Sequence, residues 1–524
     1  MINTFQQPEN LKSMNHLSQG IVVSERYSLN LVRELCQALA EAEIGYCHWK
    51  SNNAIDRSAS GENDLDLLIS RADATKFAEI LFRMGFKQAK AQPEKEMPGV
   101  VSYFGYDAEA DVWVHVHAHY QLILGHDMSK NFRLPIEKPF IESAVHDGLF
   151  NIPAPEFEYI VLVIRMILKH STWDTILGRE GSLKKAERAE MEYLEARIDQ
   201  AEVESILDQH LPYIGIALFN ECLQALQPGC SMGKRVKVGQ QVQSRLRTNS
   251  RRSLTADVIT KFWNRVVLAL RSRIFKVRPK YRLDTGGAMI AIVGGDGAGK
   301  TTAVNALYEW LSEHLATNRV HMGKPAWSWT TKIVRAFLKI PQLLGFYPLE
   351  ATFDETLTQK SRISVGYPWL LREVCRARDR YWTYVKARRF AANGGLVIVD
   401  RYSLPRIRLM DGPLVELFIG RLLSGPQGKL PLSPRKEHRL TQLLMKLETS
   451  YYQQTAAPEL LIVLRVHPEI AVQRKTDEDS ASVRRRSTEI WELDWEGAGA
   501  HIIDASKSKE EVLAEIKALI WSEL

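Results

Sequence analysis

An apolar run, a glycine-rich turn and a helical pattern follow one another in "AMIAIVGGDGAGKTTAVNALYEWLSEHL", residues 288–315, and no other stretch restricts the fold as much. Gly294, Gly295, Asp296, Gly297, Ala298, Gly299, Lys300 and Thr301 satisfy G-x-x-x-x-G-K-S/T, after a strand and before a helix, where the spacing has a mechanism. Glycines let backbone N–H groups converge on an anion, and the helix N-terminus adds a partial positive charge. Lys300 would reach the outer phosphates of a nucleotide, the Thr301 hydroxyl would hold Mg²⁺, and Thr302 lies in the same turn. A chance glycine-rich turn is the alternative. Strand, lysine, threonine and helix in one register argue against it.

The rest of the second half repeats that pattern. "AMIAIVGG", "NRVHM", "GLVIVD", "ELLIVLRV" and "AHIID" are short apolar runs separated by helical segments, which predicts a buried parallel sheet in a doubly wound α/β domain. A chain of 524 residues exceeds one core, so further domains must precede it. The expected division is a frayed terminus over 1–25, an α+β domain with a helical C-terminal part over 26–228, a basic connector over 229–285, and the P-loop domain over 286–524.

The second half resembles the thymidylate kinase family across its length. "GGDGAGKTT" is similar to that family's P-loop, and "CRARDRYWTYVKARRFAANGGLVIVDRY" to its helix and strand ending in Asp400-Arg401-Tyr402. "PELLIVLRVHPEIAVQRK" and "HIIDASKSKEEVLAEI" resemble its fourth and last strands with their helices. The resemblance implies a P-loop NTPase fold and phosphoryl transfer from Mg-ATP. Lys300 would stabilise the transferring group, and Asp400 would act through Mg²⁺. Arg401 would orient the acceptor phosphate, while Asp296 and Arg380, with Tyr402 beside them, would line the acceptor pocket. Arg484 and Arg485, in the run that Arg486 completes, would form a lid over the phosphates. It also implies a homodimer, unless the first half obstructs that face. The acceptor-binding segments depart from the family: "HMGKPAWSW" and "SLPRIRLMDGP" stand where its nucleotide-holding motifs belong. The acceptor is therefore left open between a nucleoside monophosphate and a related phosphate or sugar, as in thymidylate-kinase-like proteins of bacterial polysaccharide clusters.

In the first half, "HWKSNNAIDRSASGENDLDLLIS" sets Asp64 and Asp66 two apart on a strand, so both point to one face. Paired carboxylates of that spacing hold Mg²⁺ against a triphosphate. The segment, with "APEFEYIVLVIRMILKHS", resembles the nucleotidyltransferase fold over about residues 30–200. Where that fold carries a third carboxylate, "VHVHAHY" places His115. Alternation puts His115, His117 and His119 on one face, with Val112, Val114, Val116 and Ala118 toward the core. Three histidines beside two aspartates would form a metal site. They would equally serve as the polar face of an edge strand. Lys50 would assist a phosphate in either functional version.

Charge is unevenly spread. From Lys234 to Arg282 stand fifteen Lys or Arg against Asp257 alone, a local +14 within a net +7, so the remainder carries −7. This connector contains an amphipathic helical pattern. It would contact an acidic membrane surface, at about 1 kcal/mol per well-placed cation, bind nucleic acid through its phosphates, or pack on one domain with its charges solvated. No nucleic-acid module is visible. The N-terminus lacks a targeting pattern, no apolar run spans a bilayer, and the cysteines are scattered. These features predict a cytoplasmic enzyme, peripheral to the inner face of the membrane if the connector binds there. Two rivals are a nucleotidyltransferase regulated by the P-loop half and a non-catalytic ATP-binding switch.

Overall fold

The computed structural model describes residues 28–97, 99–171, 183–274, 280–343, 367–404, 407 and 436–524. The frayed terminus expected over 1–25 lies outside these residues. So do residues 275–279 of the basic stretch, most of the insertion before the long helix, and nearly all of the segment after Asp-Arg-Tyr. The fold is mixed α/β, in two compact units that divide within the basic stretch at Ala269–Leu270, with residues 87–96 joining the second.

In the first unit, α1 (Asn30–Glu41) and α2 (Ala74–Arg83) accompany a sheet of β1 (Tyr46–His48), β2 (Leu65–Ile69), β3 (Val100–Asp107) and β4 (Val112–His119). These strands stand in the order β1-β2-β4-β3. β2 and β4 run parallel, and the other neighbours are antiparallel. Alternation works as the sequence predicts: Val114, Val116 and Ala118 are buried in one cluster with Leu35, Leu39, Leu65 and Phe77. The edge-strand alternative for the histidines is corrected here. β4 lies between β2 and β3, so both its backbone edges are paired.

The helical part centres on α3 (Pro155–His170), buried along nearly its whole length. Around it pack α4 (Lys185–Glu195), α5 (Gln200–His210), α6 (Gly215–Leu226) and α7 (Met232–Arg245). α7 carries the start of the basic stretch, yet Val238, Val242 and Leu246 are buried in the same cluster as Ile160 and Ile164. Its Arg235 is buried too, and Nε donates to the Ala225 carbonyl at 2.9 Å. Apolar residues four apart, masked by the charge around them, make α7 part of the first core. α8 (Leu254–Arg273) follows with Val258, Ile259, Phe262 and Trp263 exposed.

In the second unit, β5 (Met289–Gly294), β6 (Thr317–His321), β7 (Leu396–Asp400), β8 (Leu460–Arg465) and β9 (Ala500–Asp504) form an all-parallel sheet. The order is β6-β7-β5-β8-β9. Met289, Ala291 and Val293 join Tyr384, Ala387 and Ala391 of α11 (Tyr367–Ala392) in one cluster. Ile290 and Ile292, equally buried, face the other way, and α9 (Lys300–Ser312) and α15 (Lys509–Glu523) also pack on the strands. Burial on both faces is why these strands read as continuous apolar runs. Between β6 and α11 lies α10 (Trp329–Leu343); α12 (Lys436–Gln453), α13 (Pro468–Arg474) and α14 (Ser480–Glu492) complete the unit. Among the described residues, no helix is long and apolar enough to cross a membrane.

Candidate functional site

Ligands of open parallel sheets collect at the carboxyl ends of the strands, where the strand order reverses. Here β5 occupies that point, with β7 on one side and β8 on the other. Leaving β5, the chain passes Gly297 and Gly299 at φ +75° and +83°, a region that favours glycine. A Cβ on Gly297 would also stand 2.7 Å from the Ala471 carbonyl oxygen. Gly299 then caps the 13-residue α9, whose first N–H groups have no intrahelical acceptor. Thr301 and Thr302 are exposed on this first turn. Lys300 is buried, and its Nζ donates to the carbonyls of Gly294 at 2.9 Å and Gly295 at 2.6 Å.

The register brings Asp400 to the same sheet end: it stands opposite Ile292 on one side and His321 on the other. It is buried, no donor among the described residues reaches Oδ1, and Oδ2 lies 4.0 Å from His321 Nε2. A dry carboxylate oxygen without a donor is costly, and a cation relieves that cost. Oxygen donors such as this one and the Thr301 hydroxyl suit Mg²⁺.

Asp296 is buried within the loop. Its carboxylate sits 2.9 Å from Arg486 Nε and 4.0 Å from Arg401 Nη2, and the Ser487 hydroxyl donates to its backbone carbonyl at 3.2 Å. Of the arginine run, Arg486 is thus joined to the loop. Arg484 forks onto Glu469 with two contacts of 2.9 Å, and Arg485 Nη2 donates to the Ser482 hydroxyl at 3.3 Å. Arg401 adopts φ +56°, a left-handed backbone uncommon outside glycine. Arg380 and Tyr402 are buried and spend polar atoms on protein. Arg380 donates to the Met322 carbonyl at 3.1 Å and to the Tyr452 hydroxyl at 2.7 Å, while the Tyr402 hydroxyl donates to the Ala456 carbonyl. His321, Arg486 and Ser487 were not singled out for these contacts by the sequence. The strand-end position of His321 was the available signal.

The first unit holds a second constellation. In the β2–β4 register His117 stands opposite Asp66. His115 Nδ1 lies 2.8 Å from Asp64 Oδ1, and His117 Nδ1 lies 3.6 Å from Asp64 Oδ2. On Asp66 Oδ1 converge Lys50 Nζ at 2.9 Å, His117 Nδ1 at 3.4 Å and His119 Nε2 at 3.4 Å. Burial pushes the Asp66 carboxyl up, but Lys50, His117 and His119 outweigh it and hold it well below the ordinary carboxylate range. His119 is pushed down to about 4 by burial, against the opposing pull of Asp66. His115 is stacked on Phe104 with centroids 4.1 Å apart and planes 7° from parallel, and Trp49 meets His119 edge-on at 5.0 Å.

No protein-family model matches the chain. Over 239 residues, 44% of this chain and 86% of the relative, it is 27% identical to the uncharacterized ATP-binding protein YghR of Escherichia coli K12. The same identity over the same length holds for YghR of Escherichia coli O6:H1 strain CFT073.

Proposed function

We propose that this protein is an ATP-dependent phosphotransferase, with a thymidylate-kinase-like P-loop in its second unit taking Mg-ATP as donor. The observation that carries this reading is the strand-end geometry. Lys300, folded onto the loop carbonyls of Gly294 and Gly295 at the head of α9, shares the sheet end with a buried Asp400 whose Oδ1 lacks a donor among the described residues. The printed name of YghR, an ATP-binding protein, adds support for the donor.

The chain's own residues would divide the work. The first N–H groups of α9 and Lys300 Nζ hold the outer phosphates, Lys300 exchanging two carbonyl acceptors for phosphate oxygens. Thr301 and Asp400 would hold Mg²⁺, which supplies charge neutralisation when bound. Arg401 projects from its left-handed backbone toward Asp296 and would orient an anionic acceptor. Arg484, Arg485 and Arg486 would form the lid, with Arg486, paired to Asp296 and Glu478, touching the loop. Phosphoryl transfer depends on such positioning and charge more than on covalent chemistry from the protein. An ionised acceptor phosphate needs no general base, so a nucleoside monophosphate or sugar phosphate fits best. The test is acceptor-dependent ADP release across nucleoside monophosphates, sugars, sugar phosphates and polyprenyl lipids, with Lys300→Ala as control. Turnover that Lys300→Ala leaves untouched would sink the reading.

The first unit is read as nucleotidyltransferase-like on Asp64 and Asp66, without transfer chemistry, because the sequence carries His115 where that fold is expected to carry its third carboxylate. For a partner, α8 fits an acidic membrane surface. Val258, Ile259, Phe262 and Trp263 form an exposed apolar face in the chain's most basic stretch.

A further inference from the structure

The histidine strand of the first unit carries more than the paired aspartates imply. We propose that Asp66, His117 and His119 hold one divalent transition-metal ion, with Asp64, joined to His115, standing beside His117. The spacing i, i+2, i+4 on β4 puts the three imidazoles on one face, and the parallel register with β2 lays Asp64 and Asp66 across from His115 and His117. Two overlapping sets result, Asp64–His115–His117 and Asp66–His117–His119, and the ligand atoms of each lie within 4.8 Å of one another.

Distances separate a metal site from a plain hydrogen-bond network. Ligands about 2.0–2.2 Å from a tetrahedral ion stand about 3.3–3.6 Å apart. Asp66 Oδ1 to His117 Nδ1, Asp66 Oδ1 to His119 Nε2, and Asp64 Oδ2 to His117 Nδ1 measure 3.4, 3.4 and 3.6 Å. Good N–H···O bonds are shorter, about 2.7–3.2 Å. Among the histidine–aspartate contacts of this cluster, His115 Nδ1 to Asp64 Oδ1, at 2.8 Å, does have that length, and it lies outside the Asp66–His117–His119 set, where it holds Asp64 as an outer residue is held around a metal. Counting lone pairs agrees. Asp66 Oδ1 offers about two, yet Lys50, His117 and His119 all approach it. An ion there would take over the charge that Lys50 now supplies.

The rings are also held before any ion arrives. Phe104 stacks on His115, His115 and His117 meet with centroids 4.1 Å apart, and Trp49 braces His119. Imidazole nitrogens select zinc-, iron- or nickel-class ions, whereas Mg²⁺ prefers all-oxygen sets. Asp64 remains about half exposed, which gives the site an entry from solvent and room for a water ligand.

The test uses the full chain without a polyhistidine tag, stripped with chelator and titrated with Co²⁺ by visible absorption and calorimetry, with Zn²⁺ and Mg²⁺ as competitors. One Co²⁺ per chain is expected, displaced by Zn²⁺ and not by Mg²⁺. His117→Ala, which removes the residue common to both sets, should weaken binding by more than about 100-fold. His119→Gln should weaken it by at least about tenfold, and His146→Ala on an exposed hairpin should leave it unchanged. Circular dichroism and ATP binding check that each variant is folded. Zn²⁺ should also raise the unfolding temperature of the unmodified protein, a result independent of any variant. Binding that survives both His117→Ala and His119→Gln, Mg²⁺ competing as well as Zn²⁺, or no binding and no thermal shift would overturn the proposal.

Discussion

Glu158 shows what one buried carboxyl does to the whole chain. It is 3% exposed on α3, and Asn52 donates to it from its side chain at 2.9 Å and from its backbone at 3.4 Å. Burial outweighs those bonds and pushes its pKa from the usual 4.5 up to about 7. Between those values the native state keeps a proton that the unfolded chain has released. Stability therefore falls as pH rises through that window and levels off above it, by roughly 3 kcal/mol for a shift of this size. Urea unfolding at pH 5 and pH 8 checks this. Glu158→Gln should gain on the unmodified protein by about that amount at the higher pH, and a gap independent of pH would contradict the account. The Asp296–Arg486 pair allows a second test at this scale. Single substitutions to Ala and the double should show a coupling of roughly 0.5–3 kcal/mol in unfolding free energy. Additive losses would mean that Arg486 does not hold the loop. Position 486 itself was within reach of the sequence. Which of three successive arginines faces the loop was not, because that depends on the rotational phase of α14, fixed by Val483, Ser487 and Ile490 turning inward.

Elements were legible in proportion to how simply they are buried. The strands of the second unit announce themselves because both faces are apolar, and β4 because one face is. α7 was hidden, since its buried Val238 and Val242, with Leu246 just past its end, sit among Lys234, Arg235, Lys237 and Arg245, and composition outvoted spacing. The histidines were read on the right face of the right strand. Their strand's place inside the sheet was not readable, because neighbour order is set by pairing across long stretches of sequence. α8 is the reverse of α7: Ile259, Phe262 and Trp263 are 68, 67 and 64% exposed. Cosedimentation with anionic vesicles is the expected outcome for the full chain, and vesicles of neutral lipid should leave it in the supernatant. Phe262→Asp with Ile259→Asp should abolish the binding, through lost apolar insertion with the cations intact. Equal binding by this variant would reduce the contact to charge alone.

At the scale of the molecule, the two candidate sites are built from separate sets of residues. The loop, Asp400 and the α14 arginines belong to the second unit, and the aspartates, the histidines and Lys50 to the first. Each set is also positioned by its own sheet, through pairing of β5 with β7 in one and β2 with β4 in the other. Substitutions without shared partners act nearly additively. Lys300→Ala should therefore abolish nucleotide binding while leaving Co²⁺ affinity within about a factor of two, the size of the usual additivity error. His117→Ala should do the converse. The check is a two-by-two set of titrations, each variant against Co²⁺ and against Mg-ATP. If either ligand's affinity moved tenfold with the other site's variant, the units would share a coupling free energy of about 1.4 kcal/mol. By linkage the same factor would then have to appear in the reverse experiment, so the set of four measurements contains its own control.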